Sequence, residues 1–80
     1  MIRIAEDEGT GMEIFKIEKG EYIELHDLLK VTGMCATGGA AKIVIAEGLV
    51  TVDGAIEQRK RCKIRAGQLV EYNGRTLRIQ

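Results

Sequence analysis

The sequence contains no proline, no tryptophan and a single histidine, and its phenylalanine and tyrosine residues are limited to Phe15, Tyr22 and Tyr72. With so few aromatic rings, the core has to be built from isoleucine, leucine and valine, and we interpret Tyr22 and Tyr72 as sheet or core-edge residues. Surfaces that bind single-stranded nucleic acid usually stack bases on several aromatic rings. The shortage of rings therefore argues against such a surface.

Cysteines and long apolar runs are also scarce. Two cysteines, Cys35 and Cys62, are too few for a disulfide-stapled secreted scaffold. The longest apolar run covers the four residues 43–46, far short of a membrane span. Acidic residues stand near the N-terminus, where a secretion signal would carry basic ones. We therefore expect free thiols, no membrane association and a cytoplasmic location.

Net charge is absent, because 12 basic residues balance 12 acidic ones. A role that depends on overall positive charge, such as coating nucleic acid, is excluded. The charge is unevenly distributed, however. Residues 1–24 hold three bases and seven acids, whereas residues 25–80 hold nine bases and five acids. The run 59–65 carries five bases and no acid, and such a run is either a solvated loop or a local site for a polyanion.

Eighty residues are enough for one small domain. We predict an acidic, disordered N-terminal arm over residues 1–11 and a single domain over residues 12–80. A strand is predicted over residues 12–17 and a helix over residues 23–32, with Gly33 ending the helix. Thr37 is a typical helix N-cap, and the second predicted helix runs from it to Glu47, before Gly48.

After Gly48 the pattern alternates with a period of two, which is typical of strands. Asp53-Gly54 and Asn73-Gly74 are strong hairpin-turn signals, because both turn positions need a positive φ. Strands are predicted over residues 50–52, 55–58, 68–72 and 75–79. This order predicts an α+β domain with two short helices packed on one face of a small, mostly antiparallel sheet.

The start of the second predicted helix is unusual. Gly38 and Gly39 follow the cap, and each costs roughly 1 kcal/mol relative to alanine in a helix. Lys42 shares a face with Gly38, so that a phosphate could approach the free amides at the helix start closely. Close packing against the first helix would explain the small residues equally well, and the sequence leaves both explanations open.

Four ordered groups of residues resemble one family: the RNA-binding domain first named from the fourth protein of the small ribosomal subunit, also called the αL motif. These groups are Leu25-x-x-Leu28-Leu29-Lys30-x-x-Gly33, Thr37-Gly38-Gly39-x-Ala41-Lys42, Ile45-x-x-Gly48-x-Val50-x-Val52-Asp53-Gly54, and Arg59, Lys60, Lys63 and Gly67. The resemblance covers about residues 12–72 and is closest to the small stand-alone bacterial members, the YbcJ-like type. It implies two helices on a small bent sheet and a basic groove that grips structured RNA.

Carried over residue by residue, the resemblance assigns Thr37 to a position where the family often has serine. It assigns Lys30 and Lys42 to basic helix positions, and Arg59, Lys60 and Lys63 to the basic strand-loop segment. With the remaining bases of the run and the glycines of the helix start, the predicted RNA-binding residues are Lys30, Thr37, Gly38, Gly39, Lys42, Arg59, Lys60, Arg61, Lys63 and Arg65.

Three positions depart from the usual family pattern. Gly38 stands where many members have arginine, as in the stand-alone type. Asp53 replaces a common asparagine before the turn glycine, and Gln68 replaces an aspartate after Gly67.

The predicted function is therefore non-catalytic binding of structured or duplex RNA through its phosphate backbone, with ribosomal RNA or its precursors as candidate partners. No cofactor, metal or small-molecule substrate is expected. His26, Cys35 and Cys62 do not have the spacing of zinc ligands, and no paired acid and base indicate catalysis. The alternative is a small protein-interaction adaptor in which the basic run is incidental.

Overall fold

The computed structural model describes residues 4–7 and 12–80. The elements in chain order are β1 (Ile4–Asp7), β2 (Met12–Phe15), β3 (Ile23–Glu24), α1 (Leu25–Val31), α2 (Gly38–Ala46), β4 (Val50–Val52), β5 (Ala55–Ile56), β6 (Lys63–Ile64), β7 (Leu69–Tyr72) and β8 (Arg75–Ile79).

Six strands form one sheet in the order β1-β2-β8-β7-β4-β5, and β3 and β6 form a separate antiparallel pair. Within the larger sheet, β2 and β8 run parallel, while the other neighbours are antiparallel. The predicted fold class, α+β with two short helices and a mostly antiparallel sheet, is confirmed.

Both hairpin turns form where the sequence predicts them. Asp53 and Gly54 have φ angles of 52° and 83°, and Asn73 and Gly74 have φ angles of 51° and 78°. Two consecutive residues with positive φ match the twist of the flanking strands. Aspartate and asparagine tolerate this conformation better than other side chains, which is why these dipeptides identify the turns.

The second helix begins and ends as predicted. The Thr37 hydroxyl accepts a hydrogen bond from the Ala40 N–H at 3.0 Å, Glu47 is the C-cap residue, and Gly48 follows with a φ of 77°. The first helix is shorter than predicted. Residues 23 and 24 pair with β6 instead of joining α1, because their backbone groups find partners across the chain.

The core is aliphatic, as predicted, and Phe15 is the one phenylalanine or tyrosine among the buried hydrophobic residues of the described chain. Leu25, Leu28 and Leu29 of α1 are fully buried, as is Ile45 of α2. The three buried leucines of α1 lie within little more than one turn, so that this short helix is anchored by burial rather than by length.

The N-terminal region differs from its prediction where it is described. Residues 4–7 form β1, which pairs with β2 in the register Ile4↔Phe15, so that this part of the predicted arm belongs to the sheet. An exposed edge of β2 can recruit any extended segment through backbone hydrogen bonds, which needs no strong sequence signal. Residues 1–3 and 8–11 lie outside the described residues, and the predicted disorder there stays a prediction.

Candidate nucleic-acid interface

The basic segment, residues 59–65, lies against the start of α1. The Leu25 N–H donates to the Cys62 carbonyl at 2.9 Å, and the His26 N–H donates to the Lys60 carbonyl at 3.0 Å. The first amides of a helix have no partner within it, so these two carbonyls satisfy them from outside. The segment is thereby attached through its backbone, while its five basic side chains are exposed.

Three of the predicted RNA-binding residues meet at one surface recess. Arg59, Arg61 and Lys63 line this recess together with Cys62. Cys62 is half-buried, and burial, together with the nearby Glu57 carboxylate, raises the pKa of its thiol. The cysteine therefore acts as a packing residue below the cations, whose positive charges surround the opening.

Glu57 is a residue of this region that the sequence analysis did not single out. Its carboxylate accepts hydrogen bonds from the Arg59 backbone N–H, from Nε and from Nη2, each at 3.0 Å. These bonds lower the pKa of Glu57 to about 2, so that the carboxylate is charged at neutral pH. The Glu57 side chain is 17% exposed and that of Arg59 is 77% exposed. Arg59 is thus exposed to solvent, but its positive charge is balanced by the Glu57 carboxylate.

Tyr22 lies beside the other end of the basic segment. Lys63 Nζ is 5.0 Å from the centre of the Tyr22 ring, and the Arg65 guanidinium carbon is 5.3 Å from it. Both distances are in the range of cation–π contacts. Tyr22 directly precedes β3, outside the strand itself, and 46% of its surface is exposed.

The turn that follows the basic segment is held by the side chains of Gln68 and Asp53. The Gln68 side-chain oxygen accepts from the Arg65 N–H at 2.7 Å, and Gln68 Nε2 donates to Asp53 Oδ2 at 3.4 Å. Asp53 Oδ1 also accepts from the Leu69 N–H at 2.9 Å. Gln68 therefore links the turn to Asp53, because its side chain bonds to both.

The start of α2 lies beside Lys30 of α1. A Cβ built on Gly38 would be 3.9 Å from Lys30 Cδ, and one built on Gly39 would be 3.8 Å from Thr37 Oγ1. These are ordinary contact distances, so packing does not require glycine at either position. For these two glycines, the close-packing explanation left open by the sequence is therefore not supported, whereas Ala41 of the same helix is fully buried. Lys42 is exposed one turn after Gly38.

Thr37 combines two possible roles at the same atom. Its hydroxyl oxygen accepts the capping hydrogen bond from Ala40, and its O–H remains able to donate. Because the hydroxyl oxygen lies at an exposed helix start, capping does not exclude an anion contact.

The two groups of predicted residues border opposite ends of α1. The basic segment contacts the first turn through His26. Lys30 follows four residues later, roughly 6 Å along the helix axis, where it meets Gly38. Helix α1 therefore sets the spacing between the basic segment and the start of α2.

A third charged cluster lies in α1 and β3. Glu24, His26 and Asp27 each offer one atom that could ligate a metal ion, and these atoms all lie within 4.8 Å of one another. His26 Nε2 is 3.0 Å from Glu24 Oε1, and Nδ1 is 3.4 Å from Asp27 Oδ1. The imidazole thus lies beside two carboxylates of its own segment, with a hydrogen bond at Nε2 and, among the described residues, none at the buried Nδ1. The absence of a metal site stays a prediction.

These features define a class of protein: a small α+β domain in which a short two-helix unit carries exposed cations beside a mostly antiparallel sheet. Residues 15–80 match the family model described as the S4 domain. The chain belongs to the S4 domain family. In the described residues, neither helix is long and apolar enough to cross a membrane.

Individual relatives are similar over nearly their whole length. The Escherichia coli (strain K12) protein named "Putative RNA-binding protein YbcJ" is 52% identical over 68 residues, which cover 85% of this chain and 97% of the relative. The Shigella flexneri protein named "Uncharacterized protein YbcJ" matches with the same identity and coverage.

A solved structure is similar as well. The solution structure of YbcJ from E. coli, described as revealing an αL motif involved in RNA binding, has a TM-score of 0.68 and 48% sequence identity with this chain. The match covers 91% of this chain and 92% of that one. The resemblance to the αL family and to its YbcJ-like type is confirmed.

Proposed function

We propose that this protein binds structured RNA without catalysis, and that it does so mainly through contacts to the phosphate backbone. The observation that carries the proposal is the basic segment 59–65, whose backbone is attached to α1 while its cations are exposed around one recess. The similarity to YbcJ, whose name and structure description refer to RNA binding, supports the same assignment.

Local charge supports phosphate as the partner. The chain has a net charge of zero, so attraction to a polyanion depends on charges within about 8–10 Å of the contact. Arg59 of the basic segment is paired with Glu57. Among the described residues, no ion pair is formed by the other four cations of the segment, Lys60, Arg61, Lys63 and Arg65. A rigid backbone below such cations reduces the entropy lost when RNA binds.

The start of α2 supplies a second group of phosphate contacts. Its free amides, the Thr37 O–H and the neighbouring Lys30 and Lys42 side chains all suit an anion. Packing does not require glycine at positions 38 and 39. Because Gly38 and Gly39 carry no side chain, a backbone phosphate could approach the amides directly. We propose that one RNA molecule contacts both groups across α1.

The proposed contacts favour folded RNA over extended single strands. Two groups of cations at a fixed separation suit phosphates that are held at a matching separation. A-form RNA holds its phosphates and 2′-hydroxyls in such a regular arrangement. With roughly 4–6 phosphates engaged, the slope of log K against log salt is expected to be about −3 to −5. Ribosomal RNA and its precursors are the proposed source, and the cytoplasmic location stays a prediction.

The proposal is tested by charge reversal with a matched control. The test variant is Arg61→Glu/Lys63→Glu, and the control is Lys19→Glu/Arg78→Glu, whose two cations are exposed outside the basic segment. Both variants lower the net charge equally. Binding of total RNA, ribosomal RNA and a fluorescent RNA hairpin is measured at about 50 and 200 mM salt, a range over which phosphate contacts weaken strongly.

We expect the test variant to lose hairpin binding and the control to keep it. Equal losses in both variants would show that only overall charge matters and would contradict the proposed site. If the unaltered protein binds none of the three RNAs at the lower salt concentration, the RNA-binding proposal fails and the adaptor alternative replaces it.

A further inference from the structure

The pairing of β3 with β6 brings an exposed aromatic ring to the basic segment. Ile23 pairs with Ile64, and Glu24 pairs with Lys63. Continuing this antiparallel register by one residue places Tyr22 opposite Arg65 and diagonal to Lys63. Side chains alternate between the two faces of a strand, so these three share the face opposite the fully buried Ile64.

The observed contacts agree with this register. Lys63 Nζ and the Arg65 guanidinium carbon lie 5.0 Å and 5.3 Å from the centre of the Tyr22 ring. Diagonal neighbours in an antiparallel pair are within reach of long and aromatic side chains. A tyrosine with 46% of its surface exposed thus lies beside two cations of the surface proposed to contact phosphate.

There is also open space beside the ring. Tyr22 borders a recess formed by residues 15–18 and 21–23. Half-buried Ile17 is one of the apolar residues that line it. A recess next to an exposed ring can take a flat group that stacks on the ring.

On the basis of the proposed RNA-binding function, we infer that Tyr22 stacks an unpaired nucleobase while Lys63 and Arg65 bind the phosphates that flank it. Aromatic rings beside a positively charged path are the combination by which proteins hold unpaired nucleotides. Double-stranded RNA keeps its bases stacked inside the helix, so a fully paired stem cannot use the ring. The preferred RNA therefore combines a paired stem with an unpaired nucleotide next to it.

A pair of probes isolates the base from the backbone. The first RNA is a hairpin with a short single-stranded 3′ extension of uridines. The second is the same hairpin with abasic residues in the extension, so that the phosphate charge is identical. A flexible extension lets a base reach Tyr22 from the end of the docked stem. Affinities are measured by fluorescence anisotropy for the unaltered protein and for the Tyr22→Phe and Tyr22→Leu variants, whose folding is checked by thermal melting.

We expect the unaltered protein to bind the uridine extension about 5- to 150-fold more tightly than the abasic one, as stacking of one base provides. Tyr22→Phe keeps the ring and should keep this preference, whereas Tyr22→Leu should lose it and still bind the abasic probe. No preference in the unaltered protein overturns the inference. An equal loss on both probes in Tyr22→Leu also overturns it, because the ring would then only position the cations.

The two proposals fail in different ways. If the unaltered protein binds both probes equally, only the stacking inference is wrong. If it binds neither probe, RNA binding itself is wrong, and the stacking inference is overturned with it.

Discussion

Glu57 limits the charge that the basic segment can offer to RNA, and replacing it provides a sharp test of the proposed interface. The Glu57→Gln variant removes one negative charge but keeps a side-chain oxygen that can accept from the Arg59 backbone N–H, as the carboxylate does at 3.0 Å. The position of Arg59 should therefore be preserved. Its guanidinium, which is 77% exposed, would then be free to bind a phosphate.

The size of the effect follows from counterion release. Each additional phosphate contact steepens the slope of log K against log salt by about 0.9 for a duplex. Between about 50 and 200 mM salt, one extra contact therefore adds roughly a 3- to 4-fold loss of affinity. Because hydrogen bonds from Arg59 lower the Glu57 pKa to about 2, the carboxylate is fully charged at neutral pH and the effect should be constant there. At low salt the variant should bind RNA more tightly than the unaltered protein.

The assay is a series of hairpin titrations by fluorescence anisotropy at several salt concentrations. Glu71→Gln serves as the control, because Glu71 is an exposed acid on β7 and its removal changes the net charge by the same amount. Adding Arg59→Gln to Glu57→Gln should return the slope to its original value.

Two results would refute this reasoning. Weaker binding by Glu57→Gln would show that the carboxylate holds Arg59 in its RNA-binding position rather than neutralising it. An unchanged salt slope would show that Arg59 does not contact phosphate even when its charge is free.

Three further predictions concern folding. Leu28→Ala should lower the free energy of unfolding by about 2–5 kcal/mol, because Leu28 is fully buried in α1; a urea titration that shows no loss would contradict the proposed core. Thr37→Ala should cost about 0.5–2 kcal/mol through the lost helix cap, while Thr37→Ser should keep most of the stability in the same titration. Hydrogen bonds from Arg75 hold the pKa of Glu13 below its usual value of 4.5, so the charged Glu13 stabilises the fold above about pH 4.5 and this stabilisation is lost as the pH falls. Glu13→Gln should flatten the acid limb of a curve of stability against pH, and an unchanged limb would exclude this contribution.

Local sequence determined the turns, the caps and the composition of the core. Asp53-Gly54 and Asn73-Gly74 need only their own backbone preferences to form type I′ turns. Thr37 and Gly48 act within a few residues of the helix that they delimit. These features depend on short-range geometry, and the structure reproduces them almost residue for residue.

Pairings between distant parts of the chain were not predictable from the same patterns. The strand β3 is two residues long and reads as the start of a helix, because the helical spacing of Leu25, Leu28 and Leu29 begins directly after it. Its partner β6 lies inside the basic run, where Cys62 and Ile64 alternate with basic residues; this alternation is compatible with a strand but does not say which segment pairs with it. Only the packed structure brings these segments together, since backbone hydrogen bonds carry little sequence information.

The sequence by itself determined that cations gather in residues 59–65 and that a capped, glycine-rich helix start accompanies them. Only the tertiary structure decided which of these charges are available. It pairs Arg59 with Glu57 and sets Tyr22 beside Lys63 and Arg65. The physical reason is that charge and stacking act through space, between side chains whose separation depends on strand register and packing rather than on distance along the chain.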